Sequence, residues 1–372
     1  MECKCLIMDD LINLELLKQP VSDEFPAGED LRNDVTPTSP YFSLKDVRNN
    51  ARAAERNALV ENEPLLSYSA KWKDILTSVP NILTTQCKDL EFAAWYIEAL
   101  ARNYGFAGLN CGFTVAKILI EEFWEYLYPL PDEDGIETRI APLIGLNGVE
   151  GEGTLIIPIS CVPITEVHTE QAFSLWEYEQ ALEIERLDSD RKKQRIGAGG
   201  IELKDVLAAA EASSAAFYQQ LYRDIESAID SYTELVKVMD DKCEVSLPTS
   251  HISKRLQSCL DAVVYLAGAK LNDDESSGEL DNLETENEKQ SDTTVATLSV
   301  QLNSRQEAIK SLKQIADFFK QTEPHSPMAY AIEQVVRWSD MALPDLLAEL
   351  ISDNEARNGY FRLVGIAKDN NE

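Results

Sequence analysis

Three histidines stand at 168, 251 and 325, each in a different region of the chain. A zinc site needs ligands at short spacings such as Cys-x2-Cys or His-x3-His, and the sequence has neither. Cys3-Lys4-Cys5 is the one close cysteine pair, and it reads as a frayed terminus. Asp132-Glu133-Asp134-Gly135 starts like a calcium loop, but a hand-type loop needs a bidentate glutamate at its twelfth position. That position is Leu143, so the segment reads as a solvated acidic turn. Gly197-Ala198-Gly199-Gly200 lacks the Lys-Ser/Thr of a phosphate loop and follows no strand pattern, which leaves a hinge. No Gly-x-Ser-x-Gly nucleophile elbow occurs. Carboxylate pairs are everywhere in a chain with 65 acidic residues, so their spacing says nothing about acid–base catalysis. No catalytic, cofactor-binding or metal-ligating residue is assigned, and the expectation is a scaffold or assembly component without enzymatic activity.

The chain has 372 residues, 34 of them basic, for a formal charge of −31. At about 150 residues per domain this predicts two to three domains. Such an excess of negative charge repels phosphate backbones and anionic lipid, which argues against nucleic-acid and membrane-surface partners. The only dense basic cluster, Arg191, Lys192, Lys193 and Arg195, follows Glu183, Glu185, Asp188 and Asp190 and reads as a mixed-sign helix end or loop. Seven scattered cysteines, an odd number, fit reduced thiols and a cytoplasmic protein better than a disulfide framework. No apolar run reaches the roughly 18 residues that a bilayer span needs.

The elements that must position any site are helical. Leu11, Ile12, Leu14, Leu16 and Leu17 repeat at helical spacing and end at Pro20. The stretch 20–40, rich in proline, reads as a loop wrapped over a surface. Residues 44–60 predict a charged helix that is largely exposed, with Arg52, Glu55 and Arg56 as exposed intrahelical pairs. Phe92, Trp95, Tyr96, Ala99 and Leu100 form a broad apolar stripe behind a capping Asp89. Gly105 ends that helix, and a second runs from about 110 to 127 with Val115, Ile118, Leu119, Phe123 and Trp124. The short 105–109 link predicts a helical hairpin. Residues 154–164 are rich in β-branched side chains but hold Pro158 and Pro163, so an extended connector is expected. Helices are expected again at 173–187, at 206–239 (possibly split) and at 251–271. Residues 271–294 carry nine acids against Lys289 and almost no apolar residues, the composition of a flexible linker. Beyond it, 304–320 and a helix led by Pro327 are amphipathic.

Several segments in order resemble a known family. Gln19-Pro-Val-Ser22 with Pro26-Ala-Gly-Glu-Asp-Leu-Arg32 is similar to the opening motif of the ImpA N-terminal domain. Ser39-Pro-Tyr-Phe42 and Ala51-Arg-Ala-Ala-Glu-Arg56 resemble its next block. Lys88-Asp-Leu-Glu-Phe-Ala-Ala-Trp95, Gly105-Phe-Ala-Gly-Leu109, Phe123-Trp124, Pro129-Leu-Pro131 and Glu137-Thr-Arg-Ile-Ala-Pro-Leu143 continue the pattern over about 130 residues. Asn33 departs from it, standing where an aromatic is common. Glu323-Pro-His-Ser-Pro327, Trp338 and Leu343-Pro-Asp-Leu-Leu-Ala-Glu-Leu350 resemble the tail of one class of the TssA family, a component of the bacterial type VI secretion system.

The resemblance implies a mainly α protein with an ImpA N-terminal-like domain at 1–165 and a helical middle domain at 166–270. An acidic linker at 271–296 and a small helical C-terminal oligomerisation domain at 297–372 complete it. It implies a homo-oligomeric ring that contacts baseplate, tail tube, sheath and membrane-complex subunits and helps start or coordinate tail polymerisation. No cofactor, nucleic acid or membrane insertion is implied. The alternative within the family is a relative that caps or stops the sheath. From another class, the alternative is a cytosolic enzyme or acidic adaptor without a recognisable motif. The residues themselves add that Met328, Ile332, Val335, Val336 and Trp338 span about 160° of a helical wheel, wider than packing on one neighbour requires. Met328, Ile332, Val335 and Trp338 are therefore the expected oligomerisation contacts.

Overall fold

The computed structural model describes residues 11–36, 38–61, 63–132, 135–167 and 172–271, then 312–313, 315–316, 319–320, 327–339 and 341. The acidic segment expected to be a linker lies outside them, except for Leu271. The chain divides into two compact units, 1–280 and 281–372. Among the described residues no strand forms, only isolated bridges such as Gly28 with Cys87 and Pro163 with Ser174.

In the first unit, the four-residue α1 (Leu14–Leu17) is capped by the Asn13 side chain. The long α2 (Pro40–Glu61) is followed by a 3-10 segment, Leu65–Trp72, that runs into α3 (Lys73–Thr85). Then comes α4 (Leu90–Phe123), the centre of the fold. Asp89 starts it as the sequence predicts, its carboxylate accepting from the Glu91 amide at 2.7 Å. At Gly105 the backbone takes φ 57° and ψ −134°, a conformation that an L side chain resists. The chain reverses there. A Cβ on Gly112 would lie 2.7 Å from Ile97 Cγ1, and one on Gly108 would lie 2.4 Å from the Leu100 carbonyl oxygen. Residues 97 and 112 would stand about 22 Å apart on a straight helix, so this contact establishes the predicted antiparallel hairpin. Two glycines four residues apart let its arms touch backbone to backbone.

Around the hairpin stand α5 (Ile136–Asn147), α6 (Ile156–Ser160), α7 (Leu175–Glu185), α8 (Ser189–Gly197) and α9 (Leu203–Ala212). They are joined by α10 (Ala215–Cys243) and α11 (Ser250–Ala267), with a closing 3-10 turn, Gly268–Leu271. The helix expected over 206–239 is indeed split, at Ser213–Ser214, where the Ser214 side chain caps α10. α10 makes the most extensive packing against α4, and α11 packs on α10. One hydrophobic core runs without a break from Ile12 to Ala267, crossing residue 165. Its densest part is aromatic: Phe92 and Trp95 have ring centroids 5.2 Å apart, and Tyr41 lies 5.5 Å from Trp95. Burying each such ring contributes about 1.5–3 kcal/mol.

Two sequence expectations fail here. Residues 154–164 are not extended throughout: α6 occupies five of them and buries Ile156, Pro158 and Ile159. Pro158 falls in the first turn, where no intrahelical N–H bond is lost, so burial outweighs the weak β preference of the isoleucines. Likewise α2 is not a largely exposed helix. Tyr41, Leu44, Ala51, Glu55 and Ala58 are all buried. In the second unit, α12 (Pro327–Ser339) carries the buried Val336, and Ala316 is buried as well.

Candidate functional site

The motif residues converge on the start of α4 and on its outer face. The Lys88 amide donates to the Ala27 carbonyl at 2.8 Å, and the Tyr128 hydroxyl donates to the Gly28 carbonyl at 3.3 Å, so the proline-rich loop is laced to the helix start. Arg32 clamps the N-terminal carboxylates of α4. Its guanidinium donates to both Asp89 oxygens, at 2.7 and 3.2 Å, and to Glu91 at 2.8 Å. The Tyr41 hydroxyl also donates to Glu91, at 3.0 Å, and Arg32 stands over the Tyr41 ring. The fully buried Lys88 ammonium donates to the Leu17 carbonyl at 2.8 Å and lies over the Phe123 ring. Burial pushes its pKa down to about 8.

The second motif block meets the middle of α4. Glu55 is buried and accepts a two-pronged contact from Arg102, at 2.6 and 2.8 Å, and a bond from the Trp72 indole at 2.7 Å. Arg102 stacks over Trp72 with its guanidinium carbon 4.1 Å from the ring centroid. Arg48 pairs with the fully buried Glu98, whose second oxygen has no partner among the described residues. The exposed intrahelical pairing expected of Glu55 is thereby corrected. The glutamate faces inward because Arg102, 47 positions away, offers it a partner that no local spacing reveals. The third block is structural too. Arg139 is buried over Trp124 and donates to the Trp124 carbonyl at 2.5 Å.

These side chains form a network that joins the helices. Its buried carboxylates face arginines, and no group of metal-capable side chains occurs among the described residues. Cys87, Cys111 and Cys259 are buried, and burial raises their thiols, that of Cys111 to about 12, away from the thiolate form. His251 faces the Asn147 carbonyl at 3.1 Å, and the Asn147 side chain binds the Ile252 amide and the Pro248 carbonyl, a splice between α5 and α11. The cavity lined by Ile97, Phe113, Leu146, Tyr232 and Met239 is apolar and too small to hold more than a single water.

The expected oligomerisation residues share α12. Val335 is exposed, Ile332 and Trp338 are half-buried, and the side chain of Met328 lies outside the described residues. The Trp338 indole nitrogen is buried without a partner among the described residues. One feature of α2 is not among the sequence expectations. All four of its cations, Lys45, Arg48, Arg52 and Arg56, lie within about 80° of one another around the helix axis. The signal was their spacing of three and four residues, read instead as local ion pairing. The basic cluster at Arg191–Arg195 sits on α8, a helix that buries none of its residues.

Residues 18–148 match the family model described as ImpA, N-terminal, type VI secretion system. No curated protein matches the chain significantly. Among solved structures, the chain is similar to the N-terminal domain, including the conserved ImpA N-terminal region, of the TssA component of the type VI secretion system from Burkholderia cenocepacia. The identity is 22% and the TM-score 0.58, over 71% of this chain and 96% of that one. That likeness carries the fold alone. Residues 18–148 are thus similar to the ImpA N-terminal domain of the type VI secretion system.

Proposed function

We propose that the protein is a non-enzymatic assembly component that self-associates and helps recruit or stabilise the baseplate and coordinate tail tube and sheath polymerisation in the cytoplasm. The observation that carries this reading is the match of residues 18–148 to the ImpA N-terminal domain. Two features support it. The buried pairs of the matched region, Arg32 with Asp89, Arg48 with Glu98 and Arg102 with Glu55, join its elements, as a scaffold requires. No described helix is long and apolar enough to cross a membrane. Self-association is assigned to residues 297–372, through Met328, Ile332, Val335 and Trp338. Trp is enriched among the side chains that dominate interfaces, and Val335 is 47% exposed on α12. The test is affinity capture of the full chain in cells that hold an intact secretion system, followed by negative-stain imaging. Baseplate or sheath subunits in the capture and rings in the images are the expected result. A monomer that captures none of them would refute the reading.

A further inference from the structure

The cationic edge of α2 carries more positive charge than the fold uses. Lys45 donates to the Tyr41 hydroxyl at 3.3 Å, Arg48 is engaged by Glu98, and Arg102 is engaged by Glu55. Both carboxylates are buried: Glu55 spends both oxygens on Arg102, and Glu98 spends one on Arg48 and reaches Arg52 only through its field. Arg52 and Arg56 have no ion pair or hydrogen bond among the described residues. Yet Arg52 is half-buried. Burial disfavours its charged form, and Arg48, Arg102 and Arg56 add to that effect, against Glu98. Arginines at four-residue intervals also repel one another along a helix. The protein thus maintains a half-buried guanidinium, that of Arg52, beside the exposed one of Arg56, on a helix edge of a chain whose net charge is −31.

Nothing in the packing of α2 asks for that arrangement, because the core stripe of Leu44, Ala51, Glu55 and Ala58 lies beside it. We propose that Arg52 and Arg56 form a docking site for an acidic segment of a partner protein. The segment presents two carboxylates about 6 Å apart, the separation of the two arginines along the axis. Arginine suits this task because its planar fork binds a carboxylate through two parallel bonds. A protein partner is favoured over a nucleic acid, since the surrounding negative charge repels a continuous phosphate backbone. A short acidic segment, in contrast, needs only this local patch. The proposal stands apart from the secretion reading, and its test reads only binding to this edge.

The probe is a fluorescent synthetic peptide with glutamates at four-residue spacing, titrated with the full-length chain and followed by anisotropy at about 50 and 300 mM salt. Saturable binding that weakens at high salt is expected. R52E/R56E should weaken it about tenfold or more, while K193E/R195E on α8 should leave it unchanged. Equal weakening by the α8 variant, or no effect of R52E/R56E, overturns the site. R52Q/R56Q should melt at or above the wild-type temperature, since it removes unpaired like charges. A lowered melting temperature assigns both arginines to the fold and overturns the docking role. If the peptide binds only after residues 273–292 are deleted, the occupant is the chain's own acidic segment and the partner-protein assignment falls.

Discussion

Glu55 shows how much a single side chain can hold in this protein. It joins α2, the 3-10 segment and α4 by accepting from both Arg102 and Trp72 in a dry environment. Truncating one partner of a buried pair leaves the other charge uncompensated, at about 3–5 kcal/mol. Glu55→Ala should lower the urea midpoint accordingly, and Glu55→Ala with Arg102→Ala should recover part of the loss. Additive losses would show that the two residues do not act together. Lys88 makes a second prediction. Its pKa in the folded state, about 8, lies below the ordinary lysine value of about 10.4. Between those values the unfolded chain binds a proton that the folded chain does not, so this residue makes stability rise with pH. The buried thiols and tyrosines act in the opposite direction above about pH 9. The difference between wild type and Lys88→Met removes their contribution. It should move in favour of wild type from about pH 7 to 9, and a flat difference would contradict the shift.

The hairpin of α4 is the element on which the others are stacked, and its two close glycines make an unusual prediction. In an ordinary helix, Gly→Ala gains about 1 kcal/mol. Here a Cβ at Gly108 meets the Leu100 backbone, and one at Gly112 meets mainly the Ile97 side chain. Gly108→Ala should therefore destabilise by about 1–3 kcal/mol through overpacking. Gly112→Ala should cost less, because a side-chain end yields more easily than a carbonyl. Thermal melts of both variants check the order, and a stabilised Gly108→Ala would refute the close approach of the arms.

For the whole molecule, the acidic composition of 271–296 predicts where the chain is first cut. Limited proteolysis should cleave there and leave a folded fragment of about 270 residues, within the usual upper size of a single domain. Early cuts inside α4 would contradict that boundary. The fragment 297–372 should form a large oligomer by light scattering, and Trp338→Ala should lower its mass while helical circular dichroism is kept. A monomeric 297–372 beside an oligomeric 1–270 would move self-assembly to the other end. Chelator, ATP and GTP should leave the melting temperature unchanged, since a ligand that binds only the folded state raises it by an amount that grows with the logarithm of its concentration.

The sequence by itself determined the helical class, the cap at Asp89, the reversal at Gly105, the core placement of Trp95 and Trp124 and the ImpA N-terminal pattern. Each is a local signal: an apolar period, a capping side chain, a residue free to adopt positive φ, or an ordered series of short motifs. Only the tertiary structure decided which charges are spent inside. Arg32 reaches Asp89 and Arg102 reaches Glu55 across 57 and 47 positions, and Arg139 donates to the Trp124 carbonyl. A charged residue on a helix flank looks alike in sequence whether it meets water or a buried partner. Its fate depends on what the folded chain brings opposite: on α2, Arg48 meets Glu98, while Arg52 and Arg56 meet no carboxylate at hydrogen-bond distance among the described residues.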